Sequence, residues 1–203
     1  MHDARQGVRG WIEKGASFSG NERNRLFLQT SSGLTSNFAD VSLMSGVDSA
    51  ADGRAFAEMD FDWDGDVDMV VVNANAPLLQ LFENLSGSNE GNALWIDVQG
   101  AASTKAGSNT PSSNRDGVGA RVVVQYGGVS LSAEKRAGEG FAAQNTGWLH
   151  FGLGSQTEVD QVTVYWPSGQ KTQIQGPIEL GQRLRVYESS EDSPTDSNLE
   201  RID

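Results

Sequence analysis

The sequence predicts an all-β protein, and three observations carry that prediction. Segments in which apolar and polar residues alternate at period two recur along the chain, the pattern of strands with one face in a core. Patterning at 3.6 residues is scarce. Glycine accounts for 24 of 203 residues while charged residues are only 21%, a balance that suits many turns between short strands better than long salt-bridged helices.

The elements follow in chain order. Ala55 to Met59 and Asp68 to Asn73 read as strands, the second with the β-branched run Val70-Val71-Val72 at its centre. Leu94, Ile96 and Val98 alternate with Trp95, Asp97 and Gln99. Arg121 to Tyr126 is a strand with Val122-Val123-Val124 inside it, and Val129, Leu131 and Ala133 alternate with serines. Val162, Val164 and Trp166 alternate with Gln161, Thr163 and Tyr165, and Leu184 and Val186 with Arg183 and Arg185. Asn114-Arg115-Asp116-Gly117, Gly127-Gly128 and Pro167-Ser168-Gly169 supply turn chemistry between them. Trp11, Trp95, Trp148 and Trp166 are expected in the core.

Three stretches read as non-core. Gly100 to Asn114 is a long loop or a joint, and Ser86 to Asn92 a short polar turn. Ser189 to Asp203 holds five acids against one arginine, a composition that predicts disorder unless something holds the tail. A second copy of the chain and the chain's own domain are both open as holders. The apolar residues Trp11, Ile12, Phe18, Leu26, Phe27 and Leu28 make an N-terminal arm whose edge can pair within the chain or with another copy. The expected organisation is an N-terminal arm and β unit over 1–90, a β-sandwich over 91–188 and an acidic tail over 189–203.

Composition removes several function classes. There is no cysteine, so disulfides, thiolate zinc and a cysteine nucleophile are excluded. The formal charge of −12 argues against nucleic acid and anionic membrane as partners. His2 and His150 are the only histidines, too few for a histidine-rich metal site. No apolar run approaches the roughly 20 residues that span a bilayer, so no membrane insertion is expected. The first residues lack the apolar core of a signal peptide, which leaves an intracellular protein or a mature or partial chain.

The strongest signal is Asp60-Phe61-Asp62-Trp63-Asp64-Gly65-Asp66-Val67-Asp68, with an aspartate at every second position. Two unit charges about 4 Å apart repel by roughly 1 kcal/mol in water and about 4 at an effective dielectric near 20. Gly65 lets the chain curl, and a curled D-x-D-x-D-G-x-x-D loop converges oxygens on one centre. Calcium takes about 6–8 hard oxygens and tolerates irregular geometry, whereas magnesium prefers water and strict octahedral order. Asp60, Asp62, Asp64 and Asp68 are the expected side-chain ligands of a Ca2+ ion. Asp66 is expected to contribute its backbone carbonyl, with its carboxylate turned away. The loop is not an EF-hand: the twelfth position is Val71 rather than glutamate, and the flanks read as strands.

With Gly53-Arg54-Ala55-Phe56-Ala57 before it and Val70-Val71-Val72-Asn73 after it, this loop resembles an FG-GAP or VCBS repeat. Downstream, the run from Ser113-Asn114-Arg115-Asp116-Gly117 to Val122 resembles the opening of the ASPIC and UnbV domain. Arg136-Ala137-Gly138-Glu139-Gly140-Phe141, Leu149-His150-Phe151-Gly152-Leu153-Gly154 and Val164-Tyr165-Trp166-Pro167-Ser168-Gly169 follow in the same order. Asn21-Glu22-Arg23-Asn24-Arg25-Leu26-Phe27 and Phe38-Ala39-Asp40-Val41-Ser42 are similar to what precedes that domain. Together these resemble the cartilage acidic protein-like family. The resemblance implies propeller-blade repeats with calcium loops and a secreted or cell-surface location. Only one full calcium loop is present, whereas a closed propeller needs at least four blades. The expected fold is therefore a blade-like antiparallel sheet with a calcium-binding hairpin, packed against a β-sandwich.

Other features weigh less. Asn114 and Asp116 read as turn-capping residues, with a second cation site as the alternative. Asp116-Gly117-Val118-Gly119-Ala120 enters a strand rather than leaving one, so it is not a nucleotide fingerprint. His150 lacks a nucleophile and an orienting acid in its sequence context and reads as structural. Trp63, inside the acidic loop, is a candidate partner contact, by stacking on a sugar or meeting a neighbouring subunit; packing on its own hairpin is the alternative. Asn84-Leu85-Ser86 is an N-glycosylation sequon.

The functional expectation is a non-catalytic, calcium-stabilised extracellular or cell-surface β module with a structural or interaction role. Its partners would be other copies of itself, in an oligomer or fibre, or other surface proteins. A calcium-dependent carbohydrate- or protein-binding adhesion module, and an accessory domain of an extracellular enzyme, are the alternatives.

Overall fold

The computed structural model of the chain describes residues 10–11, 14, 16–17, 19–31, 36–85, 92–101, 111–189 and 199–202. The polar turn at 86–91, most of the 100–114 joint and the first part of the acidic tail lie outside the described residues. Internal contacts divide the chain into two compact units. One comprises Met1–Glu58, Asp68–Glu83 and Gly140–Ala143; the other comprises Met59–Val67, Asn84–Glu139 and Gln144–Asp203.

In the first unit β1 (Phe27–Gln29) and β2 (Phe38–Asp40) pair antiparallel. A single helical turn, α1 (Ser42–Ser45), follows and ends at Gly46 in the left-handed region. β3 (Gly53–Met59), β4 (Asp68–Asn73) and β5 (Leu79–Phe82) form a three-stranded sheet in that order. β5 lies antiparallel to β4, with Val72 opposite Leu79 and Val70 opposite Leu81. Asp52, fully buried just before β3, accepts hydrogen bonds from Ser17 Oγ at 2.5 Å and Ser19 Oγ at 2.6 Å. Its own N–H donates to Asn75 Oδ1 at 2.9 Å. A buried carboxylate is tolerated only when its oxygens are satisfied in this way.

The second unit is a sandwich of two four-stranded sheets. Its strands are β6 (Ala93–Gln99), β7 (Arg121–Tyr126), β8 (Val129–Glu134), β9 (Leu149–Gly152), β10 (Glu158–Tyr165), β11 (Lys171–Glu179), β12 (Gln182–Tyr187) and β13 (Leu199–Ile202). One sheet has the order β11-β10-β7-β8 and is antiparallel throughout. The other has the order β13-β12-β6-β9; β12 runs parallel to β6 and the remaining pairs are antiparallel. Val122, Val124, Val162 and Val164 of the first sheet share one core with Leu94, Ile96, Val98, Leu184 and Val186 of the second. Each such side chain, fully buried, contributes about 1.5–3 kcal/mol.

The alternation seen in the sequence thus selects the inner faces of β6, β10 and β12. β6 departs from it at Ala93 and Trp95, which lie on the opposite face and are also buried. That outer face is covered, as described below, and a covered strand carries apolar or paired side chains on both sides.

One expectation is corrected, and one open alternative is decided. Trp11 is 62% exposed rather than in the core, and Trp148 is only half-buried. The end of the acidic tail is a strand, β13, held by β12 of the same chain. It orders because Leu199 packs against the sandwich core. Glu200 also lies opposite Arg185 and accepts the Tyr187 hydroxyl at 2.6 Å.

Candidate metal centre

The acidic loop follows β3 and leads into β4. Short side-chain to backbone bonds curl it: the Gly65 N–H donates to Asp60 Oδ2 at 3.1 Å, Asp64 N–H to Asp62 Oδ1 at 3.3 Å, and Asp66 N–H to Asp64 Oδ1 at 2.9 Å. Gly65 has φ 99°, a conformation open to glycine and costly for other residues. Trp63 also has a positive φ, 67°.

One carboxylate oxygen from each of Asp60, Asp62 and Asp68 lies within 4.8 Å of the other two. Asp68 is buried and Asp62 exposed. Asp60 Oδ1 is buried with no hydrogen-bond partner. Desolvation pushes the Asp60 carboxyl above its ordinary value, and the Asp64 charge adds to this. The N–H groups of Gly65 and Trp63 and the Arg183 guanidinium pull the other way. A buried, partnerless carboxylate oxygen beside two further carboxylates fits a hard cation, because an ion supplies the missing partner and removes the repulsion. Among the described residues the converging group is Asp60, Asp62 and Asp68; Asp64 and Asp66 stand outside it. Asp64 already spends an oxygen on the Asp66 N–H.

The surroundings of the loop come from the sandwich. In the sheet β13-β12-β6-β9, Arg183 is opposite Trp95, and Trp95 is opposite His150. The three side chains therefore form one row across the outer face. His150 Nε2 lies 3.1 Å from the Gly65 carbonyl oxygen. A carbonyl only accepts, so His150 carries its proton on Nε2 and donates it. Its ring also sits 4.5 Å from the Trp95 ring, tilted by 52°. Burial lowers the His150 pKa below the ordinary imidazole value, against the opposing pull of the Gly65 carbonyl and the Asp66 and Asp60 carboxylates. At the other end of the row the Arg183 guanidinium lies over the Trp63 ring, 3.1 Å from its centroid. Trp63 is 56% exposed, and Arg183 covers part of its ring. Asn84 Nδ2, the atom an N-linked glycan would occupy, donates to the Val67 carbonyl at 3.2 Å.

Asn114 caps its turn: its Oδ1 accepts from Val118 N–H at 2.9 Å and its Nδ2 donates to Val118 O at 2.8 Å. Asp116 pairs with Arg115 at 3.1 Å. Gly117 closes the turn with φ 64°, where a Cβ would come 2.6 Å from Val98 O.

Two polar networks escape sequence reasoning because their members are far apart in the chain. Glu188, 4% exposed, accepts from the N–H groups of Ala101 and Ser113, each at 2.8 Å, from Ser113 Oγ at 2.9 Å and from Ser168 Oγ. It thereby ties together two of the motifs singled out in the sequence. Asp97 receives Lys135 Nζ at 2.8 Å and Arg185 Nε at 2.9 Å. Lys135 also donates to the Gly147 carbonyl. The only sequence signal was a charged residue at an alternating position in a strongly apolar strand.

Comparison with known protein families finds an ASPIC and UnbV domain at residues 110–193. A search of curated proteins finds no match. Among the described residues no helix is long and apolar enough to cross a membrane.

Proposed function

We propose that this chain is a non-catalytic β module stabilised by a bound calcium ion, acting outside the cell in a structural or interaction role. The observation that carries it is the convergence of Asp60, Asp62 and Asp68 around a buried Asp60 oxygen that lacks a partner. Those three carboxylates would hold the ion, with Asp64 and the Asp66 carbonyl as further oxygens in the same loop. The ion's contribution is charge neutralisation, which lets a crowded acidic turn stay curled. The ASPIC and UnbV domain, following an FG-GAP-like loop, supports an extracellular setting. Extracellular calcium modules bind at about 10⁻⁴–10⁻³ M.

The interaction role draws support from the first unit. Val72 and Leu79 face each other across β4 and β5, and Leu81 shares their side of the sheet. All three are exposed, at 47%, 62% and 51%, which is the signature of a face that meets protein.

Calcium titration by calorimetry tests the central proposal. Binding in the 0.1–1 mM range, on the order of extracellular modules, and its loss in Asp62→Ala are expected. A wild-type chain that takes up no calcium at millimolar concentration overturns it.

A further inference from the structure

We infer that His150 is a positioning residue for the acidic loop, with Arg183 as a second clamp, so that cation binding and the stability of the sheet β13-β12-β6-β9 are coupled. This rests on the calcium proposal above and extends it, because nothing about an acidic hairpin requires a distant sheet to shape it.

The loop segment Met59–Val67 makes its contacts within the same unit as the sandwich. Three anchors hold it there, and each grips a different residue of the loop. His150 donates to the Gly65 carbonyl, Arg183 covers Trp63, and Asn84 donates to the Val67 carbonyl. Two of these loop residues have positive φ. For Trp63 that conformation is unfavourable and persists only where surroundings impose it. The Arg183 guanidinium over its ring is such an imposition. Gly65 is also the residue whose N–H bonds Asp60 Oδ2. The Gly65 N–H and carbonyl belong to adjacent peptide planes joined at its Cα, so holding the carbonyl restrains, through the Gly65 φ and ψ, how the N–H meets the Asp60 carboxylate. His150 is itself fixed, being partly buried in β9 beside Trp95. A loop preorganised in this way binds with less ordering cost. Because linkage is reciprocal, an ion that favours the curled loop also favours the sheet that grips it.

Three measurements on the full chain test this: calcium calorimetry, thermal unfolding in calcium and in EGTA, and amide hydrogen exchange of residues 59–67 in EGTA. His150→Phe keeps a ring and removes the donor. It should weaken calcium binding about tenfold, narrow the gap between the two melting temperatures and speed loop exchange in EGTA. His150→Gln, which retains an N–H donor, should restore most of each. Asp62→Ala should abolish calcium binding while leaving exchange elsewhere in the loop close to wild type. Arg183→Gln should speed loop exchange in EGTA, which keeps the test informative if His150→Phe does not fold. Wild-type calcium affinity and wild-type loop exchange in His150→Phe would overturn the positioning role and leave the calcium proposal standing. A wild-type chain that binds no calcium would overturn the proposal and the coupling together, and exchange in EGTA would still decide whether His150 holds the loop.

Discussion

His150 Nε2 and the Gly65 carbonyl oxygen meet at 3.1 Å although the two residues are 85 positions apart. One belongs to a strand of the sandwich and the other to the tip of the acidic loop. The loop's shape is therefore set by long-range contacts as well as by its own aspartates.

Ion removal should cost stability. With about 1 mM calcium and a dissociation constant near 10⁻⁴–10⁻³ M, binding adds about 0.4–1.4 kcal/mol. For a chain of this size that corresponds to roughly 1–6 °C in melting temperature. Differential scanning calorimetry in calcium and in EGTA should show this gap, and Asp62→Ala should close it. Equal melting temperatures in the wild type would contradict the assignment.

Glu188 should be a stability hot spot with an acid signature. Burial opposes its ionisation, but hydrogen bonds from Ser168, Ala101 and Ser113 outweigh burial and hold the carboxyl below its ordinary value of 4.5. A carboxyl with a depressed folded-state pKa stabilises the fold fully above its unfolded value, and this stabilisation is lost as pH falls through the folded value. Glu188→Ala should lower unfolding free energy by about 2–4 kcal/mol, since several donors lose a charged partner at once. In Glu188→Gln the loss of stability on acidification from pH 6 to pH 3 should be smaller than in wild type, measured by urea unfolding at each pH.

Asp97 neutralises two cations, and the side chains of Lys135 and Asp97 are only 10% and 14% exposed. Removing one partner of a buried ionic group leaves the others uncompensated, at about 3 kcal/mol or more. Asp97→Leu should cost at least that much, whereas Asp97→Leu combined with Lys135→Met should cost less than the sum of the two single changes. A double-mutant cycle in denaturant reads the difference, and additivity would contradict the network.

The terminal strand should report through Tyr187. Its hydroxyl donates to Glu200, and that hydrogen bond is the largest of the influences raising its pKa above 10.0. Glu200→Gln, or truncation before Leu199, should shift one tyrosine of the ultraviolet titration toward lower pH. Truncation should also lower the melting temperature, because Leu199 leaves the core. An unchanged titration would show that β13 does not pair with β12 in solution.

Much of this architecture was legible in the residues alone. Val162-Thr163-Val164 and Leu184-Arg185-Val186 declare which side faces a core, because a strand's two-residue period links sequence directly to face. Asp60 to Asp68 declared an acidic turn for the same kind of reason: the repulsion and the glycine are local. Tertiary structure decided the rest. The parallel pairing of β6 with β12 joins residues about 90 positions apart, and no local pattern encodes a neighbour at that distance. The cover over Trp95, the grip of Arg183 on Trp63, the Glu188 network and the docking of Leu199 all depend on which strands lie side by side. Local periodicity assigns each residue a face; only the folded sheet assigns that face its neighbours.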